Sequence, residues 1–120
     1  MASDFTELRI WQKASDLLKL SVGDIELFEN EKRTGYKQIG NQLFRSVSSV
    51  SANIAEGFGK RSRKEFAQAC VISRGEIDES RNWYFQCKNI GLLSGDVVEQ
   101  RNTSLIEMRK MITSFISKLK

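Results

Sequence analysis

Apolar residues recur at intervals of three and four positions in four segments of the chain, and polar or glycine-containing breaks separate these segments. This spacing places the apolar side chains on one face of an α-helix, so each segment is predicted to be an amphipathic helix. The predicted stripes are Leu8, Trp11, Leu18, Val22 and Ile25 in the first helix, Ile39, Leu43, Val47, Val50 and Ile54 in the second, Phe66, Cys70, Ser73, Ile77 and Tyr84 in the third, and Leu105, Met108, Ile112, Phe115 and Leu119 in the fourth.

Capping residues and glycines mark the ends of the predicted helices. The second helix is predicted over residues 34–56, and Gly57 follows it in the position of a left-handed C-terminal cap. Ser62 and Glu65 have the spacing of a capping box at the start of the third helix. The other predicted ends are Ser3 or Asp4 before the first helix, Gly91 after the third and Ser94 before the fourth.

Short turns between the four helices determine the predicted architecture. Neighbouring helices joined by short turns run antiparallel, so we expect an all-α, antiparallel up-down four-helix bundle. The chain has no proline and only scattered glycines, so no linker is evident and one domain is expected over residues 1–120. Cys70 and Cys87 lie roughly 25 Å apart along one predicted helix, too far for a disulfide, so we expect reduced, packed thiols.

The third helix carries a second apolar stripe, which a helix in a monomeric bundle does not need. The members of this stripe are Ala69, Ile72, Trp83, Cys87 and Ile90. The consecutive aromatic residues 83–85 cannot all point inward, so at least one meets solvent or another subunit. We therefore predict a homo-oligomer; the alternative is that the second stripe only widens the core face. The interface candidates are Ile72, Trp83, Phe85 and Ile90.

The chain contains no histidine, which removes the commonest general base and a frequent metal ligand. We therefore expect no enzymatic activity, no catalytic residue, no cofactor and no metal site. The acidic residues Glu76, Asp78 and Glu79 could suggest a carboxylate metal site, but Asp78 has the helical spacing for surface ion pairs with Arg74 and Arg81.

Hydropathy along the chain gives an expectation about its location. No run of about 18 apolar residues is present, and the N-terminal segment lacks the basic-then-apolar pattern of a signal peptide. We therefore expect a cytoplasmic protein with no membrane contact.

Positive charge is concentrated in one part of the chain. Residues 31–64 contain eight basic and two acidic residues, whereas residues 1–30 contain three basic and six acidic ones. Within this part, the sequence from Gly57 to Lys60 superficially resembles a phosphate-binding loop. A P-loop needs two glycines five positions apart, then Lys and Ser or Thr, between a strand and a helix, and neither the spacing nor the context is met here.

Four cations, Lys60, Arg61, Arg63 and Lys64, surround the start of the third helix. Cations at a helix N-terminus oppose the helix dipole, so helix stability does not favour them. Contact with the phosphates of a nucleic acid would explain them, and the alternative is a solvated turn. Lys37 and Arg45 are weaker candidates for the same contact.

A polar stripe runs beside the apolar one on the second helix. Its members are Gln42, Arg45, Ser49, Asn53 and Glu56. Spacings of three and four keep these side chains on one side, where they can form a hydrogen-bonded ladder at a helix or subunit contact. The alternative is a ligand or catalytic groove.

Several short motifs resemble those of one known family. The motifs are Leu8-x-Ile10-Trp11-Gln12-Lys13-Ala14, Gln42-x-x-Arg45, Ser49, Asn53-Ile54-Ala55-Glu56-Gly57-x-Gly59-Lys60, Gly75, Glu79 and Ile90-Gly91. Over residues 5–93 the chain resembles the 23S rRNA intervening-sequence proteins, a family of small bacterial four-helix bundles. The accessory variability protein of diversity-generating retroelements is also similar to this family.

The resemblance implies a cytoplasmic pentameric barrel of four-helix bundles with a basic surface and no known enzyme activity. In the retroelement relatives the barrel binds nucleic acid and a reverse transcriptase. The prediction for this chain is a non-enzymatic homo-oligomeric accessory protein that binds the backbone of RNA or DNA through its basic loop and helix start. The alternative is a scaffold that docks a protein partner, such as a nucleic-acid enzyme, without touching nucleic acid.

Overall fold

Four long helices pack antiparallel in the computed structural model, which describes residues 2–120. A short 3-10 helix, Phe5–Glu7, precedes α1, and no β-strand is present in residues 2–120. The four helices are α1 (Arg9–Glu26), α2 (Thr34–Phe58), α3 (Arg63–Asn89) and α4 (Gly95–Leu119). The predicted all-helical fold with four helices is confirmed, and the molecule measures 46 × 22 × 19 Å.

Hydrogen bonds between the helices establish their relative directions. The Ser73 hydroxyl donates to the Val50 carbonyl oxygen at 2.8 Å, and Ser80 donates to Ser46 at 2.9 Å, so α3 runs against α2. Between α3 and α4, residues later in one helix contact residues earlier in the other. These contacts join Arg63 to Lys118, Arg74 to Thr113, Asp78 to Arg109 and Arg81 to Asn102. Since α1 also packs on both α2 and α4, the four helices enclose one core.

The predicted apolar stripes agree with the structure in α2, α3 and α4. In α3, Phe66 is half-buried and the other members are fully buried: Cys70, Ser73, Ile77 and Tyr84. Leu43, Val47, Val50 and Ile54 of α2 are fully buried, and Ile39 is half-buried. In α4, Leu105, Met108 and Ile112 are buried, as predicted. Near its C-terminus the buried residue is Ile116, while Phe115 and Leu119 are half-buried beside it.

The predicted stripe of α1 is wrong at Val22, whereas its other members are half-buried beside the core: Leu8, Trp11, Leu18 and Ile25. Val22 is 37% exposed, and the buried positions of α1 are Ile10, Ala14, Leu17, Ser21 and Asp24. The buried face of this helix therefore includes a hydroxyl and a carboxylate. Hydrophobic periodicity alone points to the neighbouring side of the helix because it counts these two positions as polar.

A buried polar network explains why Ser21 and Asp24 face the core. Tyr84 of α3 is fully buried, and its hydroxyl donates to Asp24 at 2.6 Å and lies 2.8 Å from the Ser21 hydroxyl. Arg101 of α4 donates to both Asp24 oxygens, at 2.8 and 3.1 Å. Burial, and secondly the hydrogen bond to Asp24, raise the pKa of Tyr84 far above its usual value, so the phenol stays neutral. The network joins three helices.

Serine caps and glycines shape the helix ends. The Ser62 and Ser94 hydroxyls accept hydrogen bonds from the Glu65 and Val97 amides at the starts of α3 and α4, as their spacing predicted. The Glu65 carboxylate accepts a hydrogen bond from the Arg61 amide. In a capping box it would accept from the amide of the next residue, Ser62. Gly91 ends α3 with φ +80°, the left-handed conformation that glycine adopts readily.

The predicted left-handed cap at Gly57 is wrong. The helix continues through Gly57 to Phe58, and Gly91 is the one residue with positive φ within residues 2–120. Gly57 is buried against α3, where a Cβ atom would lie 2.6 Å from the Ala69 Cβ and 2.8 Å from the Phe66 ring. Glycine is therefore needed at this position for the close approach of two helices.

None of the helices within residues 2–120 is both long and apolar enough to cross a bilayer.

Candidate nucleic-acid interface

The turn between α2 and α3 places four cations at one end of the bundle. Backbone amides of Gly59 and Lys60 donate to the Glu56 and Gly57 carbonyl oxygens, which closes the last turn of α2. α3 begins directly afterwards at Arg63. The side chains of Lys60, Arg61, Arg63 and Lys64 are all exposed.

Arg63 differs from the other three cations because it contacts the end of α4. Its guanidinium donates from Nη2 to the Lys118 carbonyl oxygen at 2.5 Å and from Nε to the Leu119 carbonyl oxygen at 3.4 Å. The last carbonyls of a helix have no partner within the helix, so these bonds satisfy groups that would otherwise need water. Arg63 therefore has a structural role and holds the end of α4 beside the start of α3.

This contact brings further cations to the same end. Lys118 and Lys120 belong to the end of α4, and Lys120 lines a groove together with Lys64. Arg9, at the start of α1, lines a second groove together with Lys110 and Lys118. We call the whole group the basic end. Its members are Arg9, Lys60, Arg61, Arg63, Lys64, Lys110, Lys118 and Lys120.

Few of these charges are neutralised by carboxylates. Lys60 lies 3.4 Å from Glu56 across one helical turn, and both side chains are largely exposed. Within the part of the chain from Ala2 to Lys120, the remaining cations of the basic end form no ion pair. The basic end is therefore a solvent-accessible positive surface to which three helices contribute.

Sequence analysis did not identify Arg9, Lys110, Lys118 or Lys120 as candidate contacts. These residues are 50 or so positions away from the loop in sequence, but the predicted antiparallel topology places the end of α4 beside the start of α3. The predicted antiparallel topology could therefore have identified these cations as neighbours of the loop.

The two weaker candidates lie elsewhere. Lys37 is in the first turns of α2, roughly 35 Å along the helix axis from Lys60 at 1.5 Å per residue. Arg45 lies in the middle of α2 and forms ion pairs with Glu76, at 3.3 Å, and with Glu79 of α3. The structure therefore does not bring Lys37 or Arg45 to the basic end, and two carboxylates already compensate the Arg45 charge.

The polar stripe of α2 lies along its contact with α3. The Ser49 hydroxyl donates a hydrogen bond to the backbone carbonyl oxygen of Arg45, and the Asn53 amide donates to the backbone carbonyl oxygen of Ser49, both at 2.7 Å. Glu79, which pairs with Arg45, also accepts from the Trp83 indole at 3.1 Å. The Ser49 and Asn53 bonds lie within α2 and the Trp83 bond lies within α3, whereas the Arg45 ion pairs with Glu76 and Glu79 provide polar contact between the two helices.

The acidic residues of α3 are engaged in ion pairs. Asp78 pairs with Arg81 at 3.2 Å, as predicted, and with Arg109 at 3.1 Å. The expected partner Arg74 instead donates to Thr113 of α4. No group of three His, Cys, Asp or Glu residues in the described part of the chain is arranged to hold a metal ion.

The four interface candidates lie on two different sides of α3. Ile72 is 58% exposed and lines a groove with Asn53 of α2, and Trp83 reaches Glu79 on that same side. Ile90 follows Trp83 by two helical turns and is half-buried. Phe85 is 39% exposed and follows Arg81, which contacts α4, by one turn. Phe85 therefore cannot share one continuous patch with the other three.

Both cysteines are free and fully buried. Burial raises the pKa of each thiol to about 11, and Asp24 adds to the shift at Cys87. Protonated thiols are poor nucleophiles and poor metal ligands, so neither cysteine is chemically reactive at neutral pH.

The chain matches one family model and shares its fold with a solved structure. The family model described as 23S rRNA-intervening sequence protein matches residues 6–114. A crystal structure of a protein of unknown function from the S23 ribosomal protein family of Bacteroides thetaiotaomicron VPI-5482 has a TM-score of 0.81 and 23% sequence identity. The alignment covers 89% of this chain and 97% of that one, which shows a common fold. A search of curated protein sequences gave no match.

Proposed function

The chain belongs to the 23S rRNA-intervening sequence protein family, and from this premise we propose that it is a non-enzymatic, homo-oligomeric protein that binds the phosphate backbone of RNA or DNA through its basic end.

The observation that carries the proposal is the convergence of cations from the α2–α3 turn, the start of α3 and the end of α4 on one end of the bundle. Lys60, Arg61 and Lys64 come from the α2–α3 turn and the start of α3, and Lys118 and Lys120 come from the end of α4. Only Lys60 of these five has a carboxylate partner within residues 2–120, and that pair is exposed. A surface of uncompensated cations binds a polyanion by releasing the counterions condensed on it.

This chemistry favours backbone contact over recognition of a base sequence. Exposed lysine and arginine side chains at a helix end reach phosphates, which carry no sequence information. Arg63 is left out of the phosphate contacts because its guanidinium is occupied by the carbonyl oxygens of α4. We expect the contacts to come from Lys60, Arg61, Lys64, Lys118 and Lys120.

Assembly would multiply this surface. Ile72 is more than half exposed and lines a groove with Asn53 of α2. Exposure of this apolar side chain suits burial against a second copy of the chain. A pentamer is the number expected from the family resemblance. Several copies of the basic end on one assembly would bind a long polyanion with much higher avidity than one copy.

Fluorescence anisotropy of labelled RNA and DNA at two salt concentrations tests the proposal. The loop variant is Lys60→Ala/Arg61→Ala/Lys64→Ala, which keeps the structural Arg63. The matched control removes the same charge at the other end of the bundle, by Lys32→Ala/Lys37→Ala/Lys88→Ala. Light scattering establishes that both variants keep the wild-type mass.

Wild type is expected to bind both nucleic acids, with weaker binding at higher salt. A plot of log K against log salt has a negative slope, and removal of three phosphate contacts per chain should make this slope shallower by about 2. The affinity should fall at least about tenfold. The control should bind like wild type. Equal losses in both variants would show attraction by net charge alone, and no binding by wild type at low salt would overturn the proposal.

The scaffold hypothesis predicts a different result. A partner enzyme would then remain bound to the protein after nuclease treatment, while purified protein would not bind naked RNA or DNA.

A further inference from the structure

An apolar groove lies within the basic end, between the first turns of α3 and the last turn of α4. Its volume is about 350 Å³, within the range of roughly 300–1,000 Å³ typical of small-molecule pockets. Its lining residues are Lys64, Ala67, Gln68, Val71, Leu119 and Lys120. We call the three apolar lining residues, Ala67, Val71 and Leu119, the floor of the groove. The two lysines come from the start of α3 and the end of α4.

Helix packing does not account for this groove. Val71 is 44% exposed, although the buried face of α3 at this level is already provided by Ala67 and Cys70. Val71 therefore adds exposed apolar surface to a groove that is rimmed by Lys64, Gln68 and Lys120.

We propose that this groove accepts one unpaired nucleobase of a single-stranded nucleic acid, with Lys64 and Lys120 contacting the phosphates on either side. The inference rests on the proposed function and adds to it a preference for strands whose bases are not paired. A duplex hides the faces of its bases in the stack, so only a single strand, loop or bulge can place a base in the groove.

The chemistry of the lining matches this ligand. A base has two flat faces and a polar edge, and the aliphatic side chains of Ala67, Val71 and Leu119 can cover one face by hydrophobic contact without reading the sequence. Gln68 at the groove wall carries an amide that can both donate and accept hydrogen bonds, so it can contact the edge of any base. The flanking lysines supply charge complementarity, because the sugar that carries each base within a strand is joined to a phosphate on both sides.

The experiment compares binding of two short single-stranded DNAs of equal length and equal charge. One carries bases throughout, and the other has abasic sugars at its central positions. The full chain is used as wild type, as Val71→Ser, which removes part of the apolar floor without changing charge, and as Lys64→Ala. Val22→Ser is the matched control, because Val22 is a similarly exposed valine on α1 and lies outside the groove.

Wild type and Val22→Ser are expected to prefer the base-carrying strand by about threefold to tenfold, as suits burial of one base face. Val71→Ser should bind the abasic strand like wild type and lose most of the preference. Lys64→Ala should weaken binding of both strands. A duplex of the same length should show no effect of Val71→Ser.

Two results would overturn the inference while leaving the proposed function intact. Wild type could bind both strands equally, or Val71→Ser could retain the full preference. A change of assembly mass in Val71→Ser would also overturn it, because the groove would then be a contact between copies of the chain. Binding of neither strand would overturn the proposed function as well.

Discussion

Replacement of Gly57 by alanine tests how closely α2 and α3 pack. An alanine Cβ at this position would lie 2.6 Å from the Ala69 Cβ and 2.8 Å from Cδ1 of Phe66. The Phe66 ring can rotate away, but the Ala69 Cβ is attached directly to the backbone of α3. The two helices must therefore separate locally for the variant to fold.

The size of the effect follows from two opposing terms. Overpacking a well-packed contact costs about 1–3 kcal/mol. Alanine in a helix interior regains up to about 1 kcal/mol of helix propensity over glycine. We expect a net loss of about 1–2 kcal/mol in the free energy of unfolding, which corresponds to a Tm lower by about 4–8 °C for a chain of 120 residues.

Thermal and denaturant unfolding followed by circular dichroism measure this loss. Gly23→Ala is the matched control, because a Cβ at Gly23 of α1 meets nothing within 4 Å. This control should be as stable as wild type, or more stable by up to about 1 kcal/mol. Addition of Ala69→Gly to Gly57→Ala removes the clashing methyl group, so the Gly57→Ala substitution should cost less stability in this background. A double-mutant cycle measures this coupling between positions 57 and 69.

The outcome for Gly57→Asn separates close packing from a left-handed cap. A left-handed cap tolerates asparagine almost as well as glycine. The packed position at Gly57 should tolerate asparagine less well than alanine because the side chain is larger. If Gly57→Ala is as stable as wild type, or Gly57→Asn is more stable than Gly57→Ala, the packing argument is refuted.

Three further predictions concern the ion pair, the helix end and the thiols. Arg101→Met should lower the free energy of unfolding by about 3 kcal/mol or more, because it leaves the buried Asp24 carboxylate without its cation; recovery of stability on adding Asp24→Asn, measured by denaturant unfolding, checks the cause. Arg63→Ala should lower it by about 1 kcal/mol through loss of the bonds to the end of α4, and unchanged unfolding would show that these bonds contribute nothing. The thiols of Cys70 and Cys87 have ordinary pKa values of 9.0 and folded values of about 11. As pH rises from about 9 to 11 the unfolded chain therefore loses protons first, and stability should fall by at most about 1.4 kcal/mol per pH unit for each thiol. Unfolding of Cys70→Ala/Cys87→Ala across this range should lack that part of the pH dependence.

Hydrophobic periodicity predicted α2 better than α1, for a physical reason. The buried face of α2 is aliphatic at Leu43, Val47, Val50 and Ile54, so apolar residues and buried positions coincide. The buried face of α1 includes Asp24, whose charge is compensated by Arg101, 77 positions later in the chain. A pattern read within one segment contains no information about a partner on another helix.

The same limit applies to the candidate site. The loop cations were evident because they are adjacent in sequence, whereas Lys118 and Lys120 join them only through the antiparallel fold. The role of Arg63 was also not predictable from its neighbours, since its partners are backbone carbonyl oxygens of α4. Net charge and spacing identify a basic segment, but tertiary contacts decide which of its cations remain available.

The polar network around Asp24 also bears on how uniquely the chain folds. Apolar contacts between amphipathic helices are not very selective, since a helix displaced by one turn, about 5.4 Å, can bury a similar set of side chains. Displacement of α1 by one turn would move Asp24 away from Tyr84 and Arg101 together and leave a charge in the core without partners. The network thus penalises misaligned helices far more than aliphatic contacts do, and we expect it to select a single register for α1.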